Sequence, residues 1–295
     1  MRLLKSMEWL QLTYDSPGVQ SRELDEWLTK FFTNFRTSNG SWKTTSRSRH
    51  AEMDEALIAV LKRKGLRPQV VMDIGVASGA TTVDLKSALD RHGFSARIIA
   101  TDRTLCCYVA RLHRELDVLF EADGHILKIE IFGVDFSPWC SARDYLSGLA
   151  LLKGGVRRYI AWRLNGAWPP LRIDGPYSMI TPELKGRPDV TIIEDDILSP
   201  TPPELIGSAD VVRLAHVVRP DRFSEDDIRR IVGNVRRRCR DGAVVIVCRS
   251  NPRARVRGAL EGSIFQAVPG GGFEIEDRIG PGSEVERYFL AERVR

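Results

Sequence analysis

The stretch Val70-Val-Met-Asp-Ile-Gly75-Val-Ala77-Ser-Gly79-Ala-Thr-Thr constrains the fold of this chain more than any other. A short apolar run without alternation suits a strand buried on both faces. Glycine at positions 75 and 79 lets the backbone fold back at the strand's end and come close to a ligand. The unpaired N–H groups of a helix starting just beyond would face that ligand. The same rhythm recurs along the chain. Residues 82–92 read as a helix, and 96–102, 189–197, 210–215 and 243–248 as further apolar strands. A helix carrying Ile228, Ile231, Val232 and Val235 on one face precedes the last of these, after an Asp241-Gly242 turn. Apolar strands alternating with helices predict a parallel sheet covered on both faces. Residues 263–268, 273–279 and 285–291 look like strands joined by glycine turns, which predicts antiparallel pairing at one sheet edge.

Two regions stand outside this rhythm. Residues 1–66 read as a helical cap. Ser21 is placed to cap a helix bearing Leu24, Trp27, Leu28, Phe31 and Phe32, and a polar loop carries Trp42. A second helix at 49–64 puts Met53, Leu57, Val60 and Leu61 on one face and is closed by Gly65. Residues 103–188, between strands two and three, far exceed what a compact unit needs there. They read as a helix at 105–117, a hairpin turning at Asp123-Gly124, a mostly helical part at 140–166, and a proline-rich stretch around Trp168. The expected organisation is a cap at 1–66 and a catalytic domain at 67–295, with a substrate-facing insertion at 117–187. Within that insertion Leu149, Leu152, Val156, Tyr159 and Ile160 recur at helical spacing, flanked by Lys153, Arg157, Arg158 and Arg163. Gly154-Gly155 in their midst would suit a hinge.

Charge and cysteines narrow the class. The 44 basic and 39 acidic residues leave a net charge of +5, too thinly spread to mark a nucleic-acid binder. The densest basic run, Arg229 to Arg240, reads as the solvated face of a helix. Cysteines at 106, 107, 140, 239 and 248 form no CxxC pair and no metal-ligand spacing, which points to reduced thiols in a cytoplasmic setting. Glu8 and Gln11 interrupt any signal-peptide core, and no run approaches the ~20 apolar residues of a membrane span. A soluble cytoplasmic protein is expected, with no metal.

Several polar residues fall at strand ends. Asp73 precedes the glycine turn, where a carboxylate can accept a hydrogen bond from a ligand's ammonium group. Asp102 ends the second strand, as a ribose-binding acid does in dinucleotide folds. The turn itself is G-x-x-x-G rather than the dinucleotide G-x-G-x-x-G. Glu194-Asp195-Asp196-Ile197 ends the third strand, and His216 follows the fourth. In this order and spacing, residues 67–116 and 187–295 resemble the class I S-adenosylmethionine-dependent methyltransferases.

That resemblance implies a Rossmann-like, doubly wound α/β fold with a mostly parallel sheet and an inserted antiparallel C-terminal hairpin strand. It implies S-adenosyl-L-methionine as cofactor, with Asp73, Gly75, Ala77, Ser78 and Gly79 around its aminoacid part, and Asp102 with Arg103 at the ribose. Asp196 would read the adenine amine and Ile197 pack on the ring; Asp195 takes the role if the register shifts by one. His216 would contact cofactor through its backbone, or act as a general base. Tyr14, Trp42 and Tyr159 are the expected substrate-side aromatics, since aromatic faces attract a sulfonium. The expected acceptor is a small organic molecule, partly apolar with an anionic group. A protein or RNA acceptor, and cofactor binding without catalysis, are the alternatives, and a homodimer stays open. No Asn/Asp-Pro-Pro-Tyr/Phe motif follows strand four and no cysteine follows a proline, which argues against methylation of DNA bases.

Overall fold

The computed structural model describes residues 31, 35–38, 40, 43, 46–166, 171–250 and 260–291. The expected helix from Ser21, and the candidates Tyr14 and Trp42, lie outside the described residues. The chain divides into two compact units, one of residues 46–103 and 183–295, the other of residues 1–45 and 104–182.

The larger unit holds a seven-stranded sheet in the order β12-β11-β10-β9-β1-β2-β8. Its strands are β1 (Val70–Ile74), β2 (Arg97–Asp102), β8 (Val190–Glu194), β9 (Ala209–Ala215), β10 (Cys239–Ser250), β11 (Leu260–Ala267) and β12 (Phe273–Ile279). The five from β8 to β10 are parallel, and β11 and β12 add antiparallel pairings at one edge. Every residue of β1 is buried, as its unbroken apolar run requires. The last three strands follow chain order, so the antiparallel pair extends the edge instead of inserting a final strand. Asp241-Gly242 lies within β10 beside a register shift, not in a turn before it. Residues expected as a last strand form the helix α7 (Glu286–Ala291), whose Tyr288 and Phe289 join the core.

Helices cover this sheet. The helix α6 (Glu225–Arg238) starts at Ser224, whose hydroxyl accepts the Asp227 N–H while Asp227 reaches back to Ser224. This capping box, three acids in the first turn and three arginines in the last all match the helix dipole. Ile228, Ile231, Val232 and Val235 bury against Met72, Val212, Leu214 and Val245. The helix α1 (Ala51–Arg63) contacts α2 (Ala80–Arg91), β11 and β12. It buries Met53, Asp54, Leu57, Val60 and Leu61, so residues 46–66 belong to this unit and not to a separate cap.

The smaller unit contains a five-stranded antiparallel sheet in the order β6-β5-β4-β3-β7. These strands are β3 (Cys106–His113), β4 (Leu116–Phe120), β5 (Ile126–Ile131), β6 (Val134–Phe136) and β7 (Arg172–Ser178). The insertion thus begins at Thr104, ahead of the expected residue 117. Residues 105–117, expected as a helix, supply β3 instead. Cys107, Val109, Ala110 and Leu112 are buried while β3 pairs with both β4 and β7. Sheet pairing on two sides outweighs the local pattern. The hairpin around Asp123-Gly124 forms as expected, between β4 and β5. Two helices follow, α3 (Ala142–Leu146) and α4 (Leu149–Leu164), and a short α5 (Pro182–Lys185) comes after β7 in the chain. Ile160 of α4 packs on Val118, Phe120, Ile126 and Ile129. α4 runs unbroken through Gly154-Gly155, so the expected hinge is not formed.

Candidate functional site

The sheet order of the larger unit decides where a ligand belongs. From β1 the chain proceeds outward to β2 and then β8, and later returns to the other side of β1 with β9 and β10. The crevice at the carboxyl ends of β1 and β9 is the topological switch point, where open α/β sheets bind ligands. The glycine turn leaves β1 there. Gly75 and Val76 donate to the Thr101 carbonyl at 2.7 and 3.2 Å, and Gly79 donates to Val76 at 2.7 Å. Gly75 and Gly79 both take positive φ, and Ala77 between them has φ +55°. A Cβ on Gly75 would run into Val217, and one on Gly79 into Leu184. Asp102 Oδ2 accepts the Ala77 N–H at 2.8 Å, so the expected ribose acid also clamps the loop.

Asp73 departs from expectation. Its carboxylate accepts two bonds from Arg213, Nε to Oδ1 at 2.9 Å and Nη2 to Oδ2 at 2.6 Å, and a third from Thr82 Oγ1 at 2.6 Å. Arg213, fully buried in the middle of β9, also donates to Asp54 of α1 at 2.8 Å. A guanidinium inside a parallel sheet requires such partners, because an unpaired buried charge costs several kcal/mol. Burial opposes the charge of Arg213, and Asp73 and Asp54 more than restore it, holding its pKa above the usual value. Burial raises Asp54 to about 6 despite Arg213. Asp73 is therefore the anchor of an internal ion network, not a carboxylate presented to a ligand's ammonium group.

The adjacent acids after β8 part company in the same way. Asp195 is buried, with both oxygens on Nη2 of the fully buried Arg238, at 2.8 and 3.2 Å. It is structural, so the shifted register that would give it the adenine is overturned. Asp196 is partly exposed, bonds the Leu198 N–H at 3.0 Å and lies 3.5 Å from Arg103 Nε. Ile197 is buried in the core beside them. Three of the five arginines of α6 are likewise committed within the chain. Arg229 pairs with Glu225 and Asp226, Arg236 with Asp241, and Arg238 with Asp195.

His216 leaves β9 with φ +61°, and its N–H bonds the Cys248 carbonyl at 2.8 Å. His50, missed in the sequence, lies with its ring centroid 5.2 Å from that of His216. Burial, then Arg213, His216 and Arg49, lowers His50 to about 2. Burial, then Arg49, Arg219, Arg249 and Arg222, lowers His216 to about 3. Both imidazoles are neutral at pH 7, and His216 is far from the pKa near 7 that suits a general base. Tyr159, expected near substrate, sits in the other unit on the outer face of α4, with its ring 6.0 Å from Trp162.

Three buried polar atoms have no hydrogen-bond partner: Ser78 Oγ in the glycine turn, Thr101 Oγ1 in β2, and Nδ1 of His50, which precedes α1 and lies beside His216. Orphans of this kind are rare in folded chains, and a polar ligand in the crevice would satisfy them. Among the described residues no group of His, Cys, Asp and Glu is arranged to hold a metal ion, and no helix is long and apolar enough to cross a membrane.

No family model and no curated protein matches the chain. Among solved structures it is similar to the CMeT domain of the citrinin polyketide synthase, at 15% identity and a TM-score of 0.34. That likeness covers 78% of this chain and 40% of the other. Human N-acetylserotonin methyltransferase, solved with SAM, gives 10% identity and a TM-score of 0.32 over 68% of this chain and 34% of its own. The N-methyltransferase NodS from Bradyrhizobium japonicum, solved with S-adenosyl-L-homocysteine, gives 11%, 0.33, 76% and 71%. The chain spans less than half the length of the first two. Likenesses this weak assign no activity, which has to be argued from the site.

Proposed function

We propose that this chain is a methyltransferase that uses S-adenosyl-L-methionine and acts on a small organic acceptor. The observation that carries the proposal is the set of polar groups on three neighbouring strand ends: the glycine turn after β1 with its unpartnered Ser78 hydroxyl, Asp102 ending β2, and Asp196 after β8. The glycine turn and Ser78 would hold the aminoacid part of the cofactor, Asp102 with Arg103 the ribose, and Asp196 with Ile197 the adenine. The cofactor supplies an electrophilic methyl group on a sulfonium. The protein's own task is then mostly positioning, which can lower a barrier substantially without a base.

His216 and His50 suit that task as neutral hydrogen-bonding groups for the acceptor. The positive φ of Ala77 and His216 costs about 1 kcal/mol or more each, and such strain collects where function demands an exact backbone path. Burial and, after it, Arg49, Arg219, Arg222 and Arg249 keep His216 neutral, and Arg219 and Arg249 are themselves paired with Asp221 and Glu284. An RNA or protein acceptor gains little from α6, where Arg229, Arg236 and Arg238 pair within the chain and Arg230 and Arg237 are left exposed.

Calorimetry with S-adenosylhomocysteine tests the proposal. Asp102→Ala and Asp196→Ala should each weaken binding by about 1–3 kcal/mol, whereas Asp195→Ala should lower the unfolding temperature instead. Binding of NAD with no affinity for S-adenosylhomocysteine would overturn it.

A further inference from the structure

The smaller unit displays apolar surface that its own core does not use. Eleven large apolar side chains are exposed among the described residues, and nine of them lie between Phe132 and Ile173. Six fall in α3, α4 and the turn region between them: Tyr145, Leu146, Leu151, Leu152, Tyr159 and Trp162. The apolar stripe expected along α4 is split in two. Val156 and Ile160 turn to the sheet. Leu151, Leu152, Tyr159 and Trp162 fall on the adjacent outer arc at about 100° per residue, with Gly155 among them.

Two further observations say what such an arc is for. A Cβ at Gly154 or Gly155 would meet nothing within 4 Å, so packing within the chain gives no reason for either glycine. Each costs a helix interior about 1 kcal/mol relative to alanine, and each leaves the outer surface low. The charge is one-sided as well. Between Asp144 and Asp174 the sequence has five basic residues and no acidic one; Lys153 and Arg172 pair with those two aspartates and Arg163 is buried, which leaves Arg157 and Arg158 exposed. Arg158 falls at the edge of the apolar arc and Arg143 lies in α3, both exposed, whereas Arg157 turns away to the Trp139 ring. Contiguous exposed apolar surface marks an interaction site. A helix with tryptophan, tyrosine and leucine on its outer arc and arginine next to it matches the interface of an anionic bilayer: rings at the headgroup level, guanidinium groups on phosphate.

We propose that the outer face of α3 and α4 docks this protein on an anionic phospholipid surface. The test is co-sedimentation of the full chain with vesicles of equimolar phosphatidylcholine and phosphatidylglycerol, against phosphatidylcholine alone. Binding to the anionic vesicles should be at least about tenfold tighter and should weaken as salt rises from about 0.1 to about 0.5 M. Leu151→Ser/Tyr159→Ser/Trp162→Ser should lose at least about tenfold of that binding with an unchanged unfolding temperature, and Arg143→Gln/Arg158→Gln should lose the preference for anionic lipid. The proposal fails if the chain ignores anionic vesicles or if the triple variant binds them as well as the parent. It fails equally if the triple variant melts several degrees lower, which would mean the face covers another part of this chain. Conversion of a dimer to a monomer by the triple variant without lipid would overturn it in favour of a second copy.

Discussion

The two units treat polarity in opposite ways. The larger one hides charge: Arg213 and Arg238 are completely buried, each spending its guanidinium on carboxylates at the ends or flanks of the sheet. The smaller one shows apolar surface, with nine large side chains left in solvent over a sheet of modest core. A buried ion network adds little net stability but penalises every arrangement that separates its members. Asp54, Asp73 and Arg213 therefore tie α1, β1 and β9 into one register, which fixes the crevice where the glycine turn and His216 meet. The smaller unit buries an ion pair as well, Lys153 with Asp144 at 2.9 Å, but this pair ties two neighbouring helices rather than strands, and the unit offers an apolar surface besides.

The largest effect should come from breaking the lock. Arg213→Met leaves two carboxylates buried without their cation, and urea unfolding followed by circular dichroism should show a loss of about 3–5 kcal/mol. Adding Asp54→Asn and Asp73→Asn should restore part of that loss, because no charge is then stranded. By contrast, Leu152→Ser on the outer arc of α4 should stay within about 0.5 kcal/mol. A loss below about 1 kcal/mol for Arg213→Met would show that the network does not govern the larger unit.

A smaller effect should follow pH. Unfolded histidine binds a proton below about 6.5, whereas folded His50 and His216 stay neutral down to about 2 and about 3. The unfolded state thus holds more protons across that window, and stability must fall as pH falls through it, by roughly 2 kcal/mol per imidazole at pH 5. Asp54 works in the opposite sense. Its folded pKa of about 6 lies above the unfolded value, so the stability it contributes is greatest in acid and fades as pH rises through about 6. Facing the histidines are Arg49, Arg213, Arg219, Arg222 and Arg249, which add to burial in opposing protonation of the imidazoles. His216→Gln and His50→Gln should flatten the fall in unfolding temperature between pH 7 and pH 4. An unchanged slope would mean the imidazoles are charged in the folded chain.

The same contrast explains what was legible in the sequence. The strands β1, β2 and β9 could be read because burial on both faces demands continuous apolar runs, the half-buried edge strand β8 because Val190, Ile192 and Ile193 keep that composition, and α6 because its caps and charges agree with its apolar face. The glycine turn follows β1, Asp102 ends β2 and Asp196 comes two residues after β8, near where the sequence pattern puts them. Buried ion pairs were not legible, since Arg213 and Asp73 look like an exposed basic residue and a ligand-binding acid until they are 2.6 Å apart. One signal was present: Asp54 stands beside Met53 and before Leu57, on the apolar face of its helix. In the smaller unit β3 passed for a helix and β7 went unseen, because antiparallel strands at 106–113 and 172–178 owe their form to each other across the sheet.

The last and smallest contrast concerns glycine. Gly79 has φ +83° and Leu184 against the direction of a Cβ, so Gly79→Ala should cost about 1–2 kcal/mol. Its cofactor affinity should fall with it, because the turn would have to shift around Ser78. Gly154 lies inside α4 with helical backbone and open space at its Cβ. Gly154→Ala should therefore stabilise the fold by up to about 1 kcal/mol, through helix propensity and a less flexible unfolded chain. The two substitutions are chemically identical and should differ in sign, as read by thermal unfolding of the full chain. Destabilisation by Gly154→Ala would show that α4 needs the low surface even in the isolated protein, and that its glycines serve packing within the chain rather than contact with something outside it.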